Sequence, residues 1–503
     1  HLRVQGAFAD NASSSLLPAT NIREWNARWA WPKLRASIDR DFFTDMEARI
    51  GDQLETFAGD WTDWWAIGVG SAAFAMGRNR KAQADLRTAQ TLNALADVVT
   101  DEPLPSVAAD VQAAYEEMAL FDEHTWGAAN PWGREADMFS SGAYQWTRKE
   151  AFAYTAEERT TLLHNGGLQR IAPLAALSGD QVSSLVVVNP SSWTRTDLAR
   201  VFVPKHDLAL DGTDLALIDA ATGEPVPALF GPTDNPTHRP HGWMVEFVAK
   251  DVPSLGYRRY RVVRGDATRT EIGAATAIQN AALAVEVDPS AGSILHLVDR
   301  STGRDLVNPD GAFGFGALIH DRYTTAPGFN HLSSRLGQNA GMWLLGKRRA
   351  GRYGHVLATE SNAVREQIRL RLELDGTDWV ETTLTLPHGT NRLHLTHRLH
   401  KPVSMEKESL YAAFPFAVAD PVVKAEITGG IVGPDSPHVP GSLDWFRTLR
   451  HWATIEGADV PPIAWATAEA PLTQFGTIHL PYAPFVSSLE PWQHDPATIY
   501  SWA

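Results

Sequence analysis

Residues 183 to 190 read Ser-Ser-Leu-Val-Val-Val-Asn-Pro, and the fold turns on this stretch. Leu185 to Val188 is an aliphatic, β-branched run closed by an Asn-Pro turn signal, the pattern of a buried strand. Runs of the same kind recur downstream: Leu198 to Val203, Trp243 to Val248, Tyr257 to Val263, Leu283 to Val287, Ile294 to Val298, Gln367 to Leu374, Trp379 to Leu386 and Leu393 to Leu399. Turn signals separate them and no long helical period intervenes, which predicts a large all-β region of sandwich type. Upstream the texture is helical. Asn21 is placed to cap a helix carrying Trp25 and Trp29, with Pro32 beyond it. Ile38 to Ile50, Ala72 to Val99 and Ser106 to Leu120 repeat apolar residues at helical spacing, and Thr155 to Leu163 and the stretch after Gly167 add further helical segments. His1 to Gly6 reads as a short strand followed by a loop. The expected organisation is residues 1–20 as a strand and loop, 21–180 as a helical bundle, 181–265 as a small β-sandwich and 266–503 as a large one.

Composition narrows the function classes. At 503 residues the chain exceeds one hydrophobic core, so two to four domains are expected. A net charge of −15 argues against a nucleic-acid partner, and no apolar run reaches the roughly 18 to 20 residues that cross a bilayer as a helix. With no cysteine, a metal has to be held by His, Asp or Glu. The same absence fits a reducing cytoplasm and also a secreted bacterial enzyme. Nine of the 18 tryptophans fall in the first 150 residues, and flat indole faces suit sugar rings as well as helix cores. The chain starts without Met and stops in the strand-like Ile499-Tyr-Ser-Trp-Ala503, as a piece of a longer polypeptide would.

Four places could carry chemistry. Asp10, in the loop after the opening strand, is a candidate general acid or an ordinary Asx-turn residue. In Gly59-Asp-Trp-Thr-Asp-Trp-Trp65, Asp60 and Asp63 alternate with Trp61, Trp64 and Trp65, which suits hydroxyl binding beside a stacking platform and equally suits a helix N-terminus. His124, in Phe121-Asp-Glu-His-Thr-Trp-Gly127 with Trp126, is a candidate metal ligand whose second ring nitrogen could be oriented by Asp122 or Glu123. His394, His397 and His400 are the fourth place. Strand alternation sets His397 on the face opposite to the other two, so all three do not share one ion.

Asp10-Asn11 with Trp25-Asn26, the Gly59 to Trp65 segment, Phe121 to Gly127, Val188-Asn-Pro-Ser-Ser-Trp193 and Tyr411-Ala-Ala-Phe-Pro-Phe416 together resemble glycoside hydrolase family 38, the retaining α-mannosidases, in their order along the chain. The resemblance implies a multidomain α+β protein: the end of a catalytic α/β barrel, a three-helix-bundle-like domain, then β-sandwich domains of which the larger is similar to galactose mutarotase. It implies hydrolysis of terminal α-mannosides with retention, using two Asp and one Zn²⁺, and a carbohydrate partner with no nucleic acid or membrane. His124 matches the family's zinc-binding bundle histidine, followed here by Thr-Trp-Gly where the family places Asp and small residues. Asp10 matches the acid/base. Asp60, Asp63, Trp64 and Trp126 are the expected sugar contacts. The nucleophile and the other zinc ligands are expected upstream of His1, which would leave this fragment inactive alone. A non-catalytic carbohydrate-binding protein and another carbohydrate-active enzyme with a mutarotase-like domain remain as alternatives.

Overall fold

The computed structural model describes residues 13–57, 70, 72–100, 105–123, 141–176, 179, 181–204, 214–232, 242–324, 344–402, 404, 408–433, 447–458, 460–478 and 497–502. The chain divides into two compact units, residues 1–59 with 437–439, and 60–436 with 440–503. The first holds α1 (Leu17–Arg28) and α2 (Asp39–Ile50). α1 starts four residues before Asn21, because Pro18 with its fixed φ suits the first turn, and Leu17 N donates to Ser15 Oγ at 3.1 Å. Asn21 therefore lies inside the helix. After α1 the chain folds back on itself: the Asn26 amide bonds both backbone groups of Leu34, and Trp25 Nε1 donates to Pro32 O at 2.8 Å.

The second unit opens with α3 (Ala73–Val99), α4 (Ala108–Asp122) and α5 (Ser141–Ile171), which pack around Ala82, Leu86, Ala89, Ala114, Met118, Ala156 and Leu163. α5 is one helix of 31 residues that runs through Gly166-Gly167, where the sequence suggested separate segments. Two glycines weaken a helix by about 1 kcal/mol each. Packing overrides that weakness, since a Cβ at Gly167 would stand 2.9 Å from Leu92 Cβ and 3.2 Å from Asn93 N on α3. The close approach also brings buried Asn93 within reach of both helices. Its amide donates to Ala89 O and Leu163 O and accepts from Arg170.

Ser183–Asn189 is a strand, and each of the other eight runs read from the sequence coincides with a strand as well. It pairs antiparallel with Gly256–Arg264 in a four-stranded sheet. A second sheet, Arg195–Pro204, Gly242–Val252 and Ala228–Pro232, faces it across a core that includes Leu185, Leu217, Val245, Phe247, Tyr260 and Val262. Asn189 closes the first strand. Its amide nitrogen reaches Trp193 O, Val252 O and Pro253 O, and its oxygen accepts from Ser191 N, which makes the Asn-Pro turn a staple between two loops.

From Glu271 onward four more antiparallel sheets share one large core, drawn from residues such as Val285, Ile368, Leu384, Phe414, Ile455 and Ile499. One of them has the strand order Leu344–Ala350, Leu318–Thr324, Glu408–Pro415, Thr498–Trp502, Leu472–Phe475, Arg447–Thr448. Its one face lies in the large core through Leu318, Leu410, Ala412 and Phe414. Its other face meets the helices, where Ile319, Tyr411, Ala413, Tyr500 and Trp502 pack on Ala72, Ala75, Met76, Phe121 and Ala153. The molecule is thus a mixed helix-and-sheet protein with several antiparallel sheets. Among the described residues no helix is long and apolar enough to cross a membrane.

The two adjacent glycines of α5 separate propensity from packing. Gly166, with no atom within 4 Å of a built Cβ, gains roughly 0.5–1 kcal/mol of stability on change to Ala. Gly167→Ala loses about 1–3 kcal/mol by forcing α3 and α5 apart. Denaturant unfolding of the two variants should shift in opposite directions, and a shared sign would contradict the close approach.

Candidate functional site

The segment carrying His124 leaves the C-terminal end of α4, and the side chains around that end are well defined. A helix C-terminus presents unsatisfied carbonyls and the negative end of its dipole. Here Lys149 of α5 answers both. Its buried ammonium donates to Leu120 O at 2.9 Å, Glu123 O at 2.8 Å and Glu123 Oε2 at 3.0 Å, which uses all three of its protons. Beside it, the Asp122 carboxylate accepts from Asn79 Nδ2 at 2.8 Å and from Gln83 Nε2 at 3.1 Å, both on α3. Burial among protein atoms pushes the Asp122 carboxyl up to about 6, against the downward pull of Arg80, Lys149 and the two amides. Asp122 and Glu123, which the sequence offered as partners for the His124 ring, are thus engaged by α3 and α5.

The cluster continues along α3 to the sheets. Arg87 meets His451 Nε2 at 2.6 Å, and His451 Nδ1 meets Glu426 at 2.9 Å. Arg78 pairs with Glu157 of α5 at 2.9 Å. Burial lowers the pKa of Arg80, and the nearby Arg450 adds to it while Asp122 and Glu426 oppose it. Asn79 itself is fully buried, and its Oδ1 has no partner among the described residues.

Phe121, three residues before His124 in sequence, belongs to the apolar cluster that joins the helices to the six-stranded sheet, together with Tyr411 of the Tyr411 to Phe416 segment. The Tyr411 and Trp502 rings lie 5.5 Å apart. At the edge of this contact Asp321, wholly buried, is held by Arg348 through two bonds of 2.6 Å, and Tyr323 OH donates to it at 3.2 Å. Burial raises the phenol of Tyr323 and pushes that of Tyr411 up to about 12, so both remain protonated donors at neutral pH. A buried carboxylate is tolerated here because a bidentate guanidinium and a phenol satisfy it.

Asp10, Asp60, Asp63, Trp64, His124 and Trp126 all lie outside the described residues. The structure describes the end of α4, from which the segment holding His124 and Trp126 continues in sequence. Asn79, Gln83 and Lys149 at the α4 end, and Asp321 with Arg348 in the sheet, are paired polar residues that sequence alone does not single out. Asn79 had a visible signal, an amide within the stripe Ala75, Met76, Ala82, Leu86 of α3 that is otherwise buried and apolar. Among the described residues no group of three or more His, Asp or Glu is placed to hold a metal ion, so these residues alone do not make a zinc site.

The strand His394–His400 alternates as expected, with His394 and His400 outward and His397 inward. His397 Nδ1 meets Thr382 Oγ1 at 2.9 Å, and its Nε2 is buried without a partner among the described residues. Burial pushes this imidazole down to about 4. The unfolded chain takes up the proton near 6.5 and the folded one only near 4. The stability held by neutral His397 is therefore complete above pH 6.5 and lost as pH falls from 6.5 towards 4. Between pH 7 and pH 5 the loss is on the order of 2 kcal/mol, and urea midpoints should show it shrink in His397→Leu. An equal loss in that variant would assign it elsewhere. A second test concerns the α4 end. Lys149→Met takes the ammonium away from the Leu120 and Glu123 carbonyls, and should cost about 2–4 kcal/mol and speed amide exchange in the last turn of α4. Unchanged exchange there would show that Lys149 does not hold that end.

No family model matches the sequence, and no curated protein matches it. Solved structures do. An α-mannosidase from Enterococcus faecalis V583 superposes with a TM-score of 0.65 at 13% identity, over 97% of this chain and 57% of that one. A protein of glycosyl hydrolase family 38 from Enterococcus faecalis gives a TM-score of 0.63 at 12% identity, over 96% of this chain and 58% of that one. The chain therefore spans somewhat more than half the length of these proteins, and over nearly all of its own length it has the fold of the family 38 glycosidase structures.

Proposed function

We propose that this chain forms the helical and β-sheet part of a retaining, zinc-dependent α-mannosidase of family 38 type, acting on terminal α-mannosides. The observation that supports the reading is the fold likeness over 97% of the chain to an α-mannosidase whose own chain is considerably longer. The order of sequence segments from Asp10 to Phe416 agrees with it. In this reading the α/β barrel ends within residues 1–20 and supplies the nucleophile and most of the metal shell. The three helices α3, α4 and α5 correspond to the bundle, and the large β region to the mutarotase-like domain.

Within that frame each residue has a role set by its chemistry. Asp10 protonates the departing glycosidic oxygen and then takes a proton from the attacking water, as retention requires of one of two carboxylates about 5 Å apart. Asp60 and Asp63 accept hydrogen bonds from sugar hydroxyls, and Trp64 and Trp126 offer ring faces to the sugar. His124 is the one zinc ligand from this chain, and bound zinc would orient sugar hydroxyls. Lys149, Asn79 and Gln83 hold the α4 end from which His124 departs.

The test uses the full-length polypeptide. It should release p-nitrophenol from p-nitrophenyl α-mannoside in a zinc-dependent manner, and Asp10→Asn should lower the rate roughly 10²–10⁴-fold. His124→Ala should reduce zinc per protein by elemental analysis, without reference to activity. A wild-type rate in Asp10→Asn removes that residue from the chemistry. Binding of mannose oligosaccharides without any hydrolysis would favour a carbohydrate-binding protein instead.

A further inference from the structure

On the face of the six-stranded sheet that turns away from the helices lies a recess of about 190 Å³ lined by His320, Arg322, Lys347, Asp375 and Gly376. Strand register sets its chemistry. Arg322 stands opposite Lys347 on one side and Glu408 on the other, and His320 stands opposite Arg349. Lys347 and Arg352 share the single carboxylate of Asp375, Arg352 at 2.9 Å. Lys401 and His320 share that of Glu408, His320 at 2.8 Å. Arg322 is exposed and has no carboxylate partner among the described residues. In and around the recess, the carboxylates of Asp375 and Glu408 thus stand against four fixed cations, Arg322, Lys347, Arg352 and Lys401, in a chain whose net charge is −15. A local excess of positive charge against that background favours an anionic ligand.

The recess is also shaped. His320 is buried, with its side chain 6% exposed, so it forms a fixed floor. Gly376 has φ +79, and a Cβ there would stand 2.8 Å from His320 Nε2. Glycine is needed at this position both for its backbone conformation and to keep the space over the imidazole open. The arrangement combines an unpaired guanidinium, which matches two oxygens at once, with an ammonium acting as a point charge.

We propose that this recess is a binding site for a small tetrahedral oxyanion, phosphate or sulfate, free or esterified on a sugar, gripped by Arg322 and Lys347. The proposal is independent of the glycosidase reading, because none of these residues belongs to the site described above.

The test is calorimetric titration of the protein at low ionic strength with inorganic phosphate, sulfate, mannose and mannose 6-phosphate. Saturable one-to-one binding of an oxyanion is expected, weakening with added salt. Arg322→Gln with Lys347→Gln should weaken it at least tenfold. Arg349→Gln, on the same sheet face but outside the recess, should leave affinity within twofold. Arg352 still pairs Asp375 in the double variant, so the fold is retained, and near-ultraviolet circular dichroism checks it. Tighter binding of mannose 6-phosphate than of phosphate, with no response to mannose, supports the site and identifies a sugar ester. Equal or weaker binding supports the site and identifies the free ion. No saturable binding of any oxyanion, unchanged affinity in the double variant, or an equal loss in Arg349→Gln would overturn the proposal.

Discussion

The strand Glu408–Pro415 is buried on both faces, and the second unit of the protein is organised around that fact. Leu410, Ala412 and Phe414 enter the large β core, while Tyr411 and Ala413 meet the helices. A sheet sandwiched in this way has few places to leave a polar group. Among the described residues its one wholly buried carboxylate, Asp321, is paired internally by Arg348 and Tyr323. Losing one partner of such a pair leaves a charge stranded in a low-dielectric interior, at a cost of several kcal/mol. The helices therefore do more than decorate the sheet. Phe121, Met76 and the alanines of α3 supply the apolar cover that keeps Tyr411 and Trp502 dry.

The same constraint explains what the sequence revealed of the fold. Strands with one wet face alternate, and the nine runs read as strands, Leu185 to Val188 among them, show β-branched or alternating texture. The helical stripe of α3 was legible for an equivalent reason, since Ala75, Ala82, Leu86, Ala89 and Ala96 recur on one buried face. What escaped notice was decided by tertiary contact. Tyr411-Ala-Ala-Phe-Pro carries no period-two pattern because both of its faces are apolar. Leu344-Leu-Gly-Lys-Arg-Arg-Ala350 is not among the runs read as strands, yet it pairs along Leu318–Thr324, where Asp321 requires Arg348. The Gly166-Gly167 pair predicts a break in α5, and only Leu92 and Asn93 across the interface show why glycine stands at 167 in an unbroken helix.

The candidate site divides along the same line. Its reactive candidates, Asp10 and His124, rest on residue type, neighbours and order alone, and both lie outside the described residues. Its supports were not legible in the sequence, because Lys149 is one lysine among many until α5 brings it over the end of α4. Likewise Asp122 reads as a carboxylate free to orient a histidine until Asn79 and Gln83 arrive from 43 and 39 residues away in sequence. A likeness in fold at 13% identity is intelligible on these terms, since burial patterns and helix ends can be satisfied by many residues.

One strand serves both faces of the six-stranded sheet. Along Leu318–Thr324, Ile319, Asp321 and Tyr323 face the helices, and His320 and Arg322 face the recess on the other side. Alternation places two unrelated polar clusters on opposite faces of a single backbone, so a slip of one residue would drive Arg322 into the apolar seam and expose Asp321. The register is pinned from the neighbouring strand. Between Arg322 and Tyr323 the pairing skips Gly346, and a Cβ on that glycine would lie 2.9 Å from Thr324 Cγ2. A bulge at a glycine fixes where the strand can pair and how it twists. The helix junction and the basic recess are therefore not independent features. Both are held in place by the same bulge, and a change at Gly346 would be felt on both faces of the sheet at once.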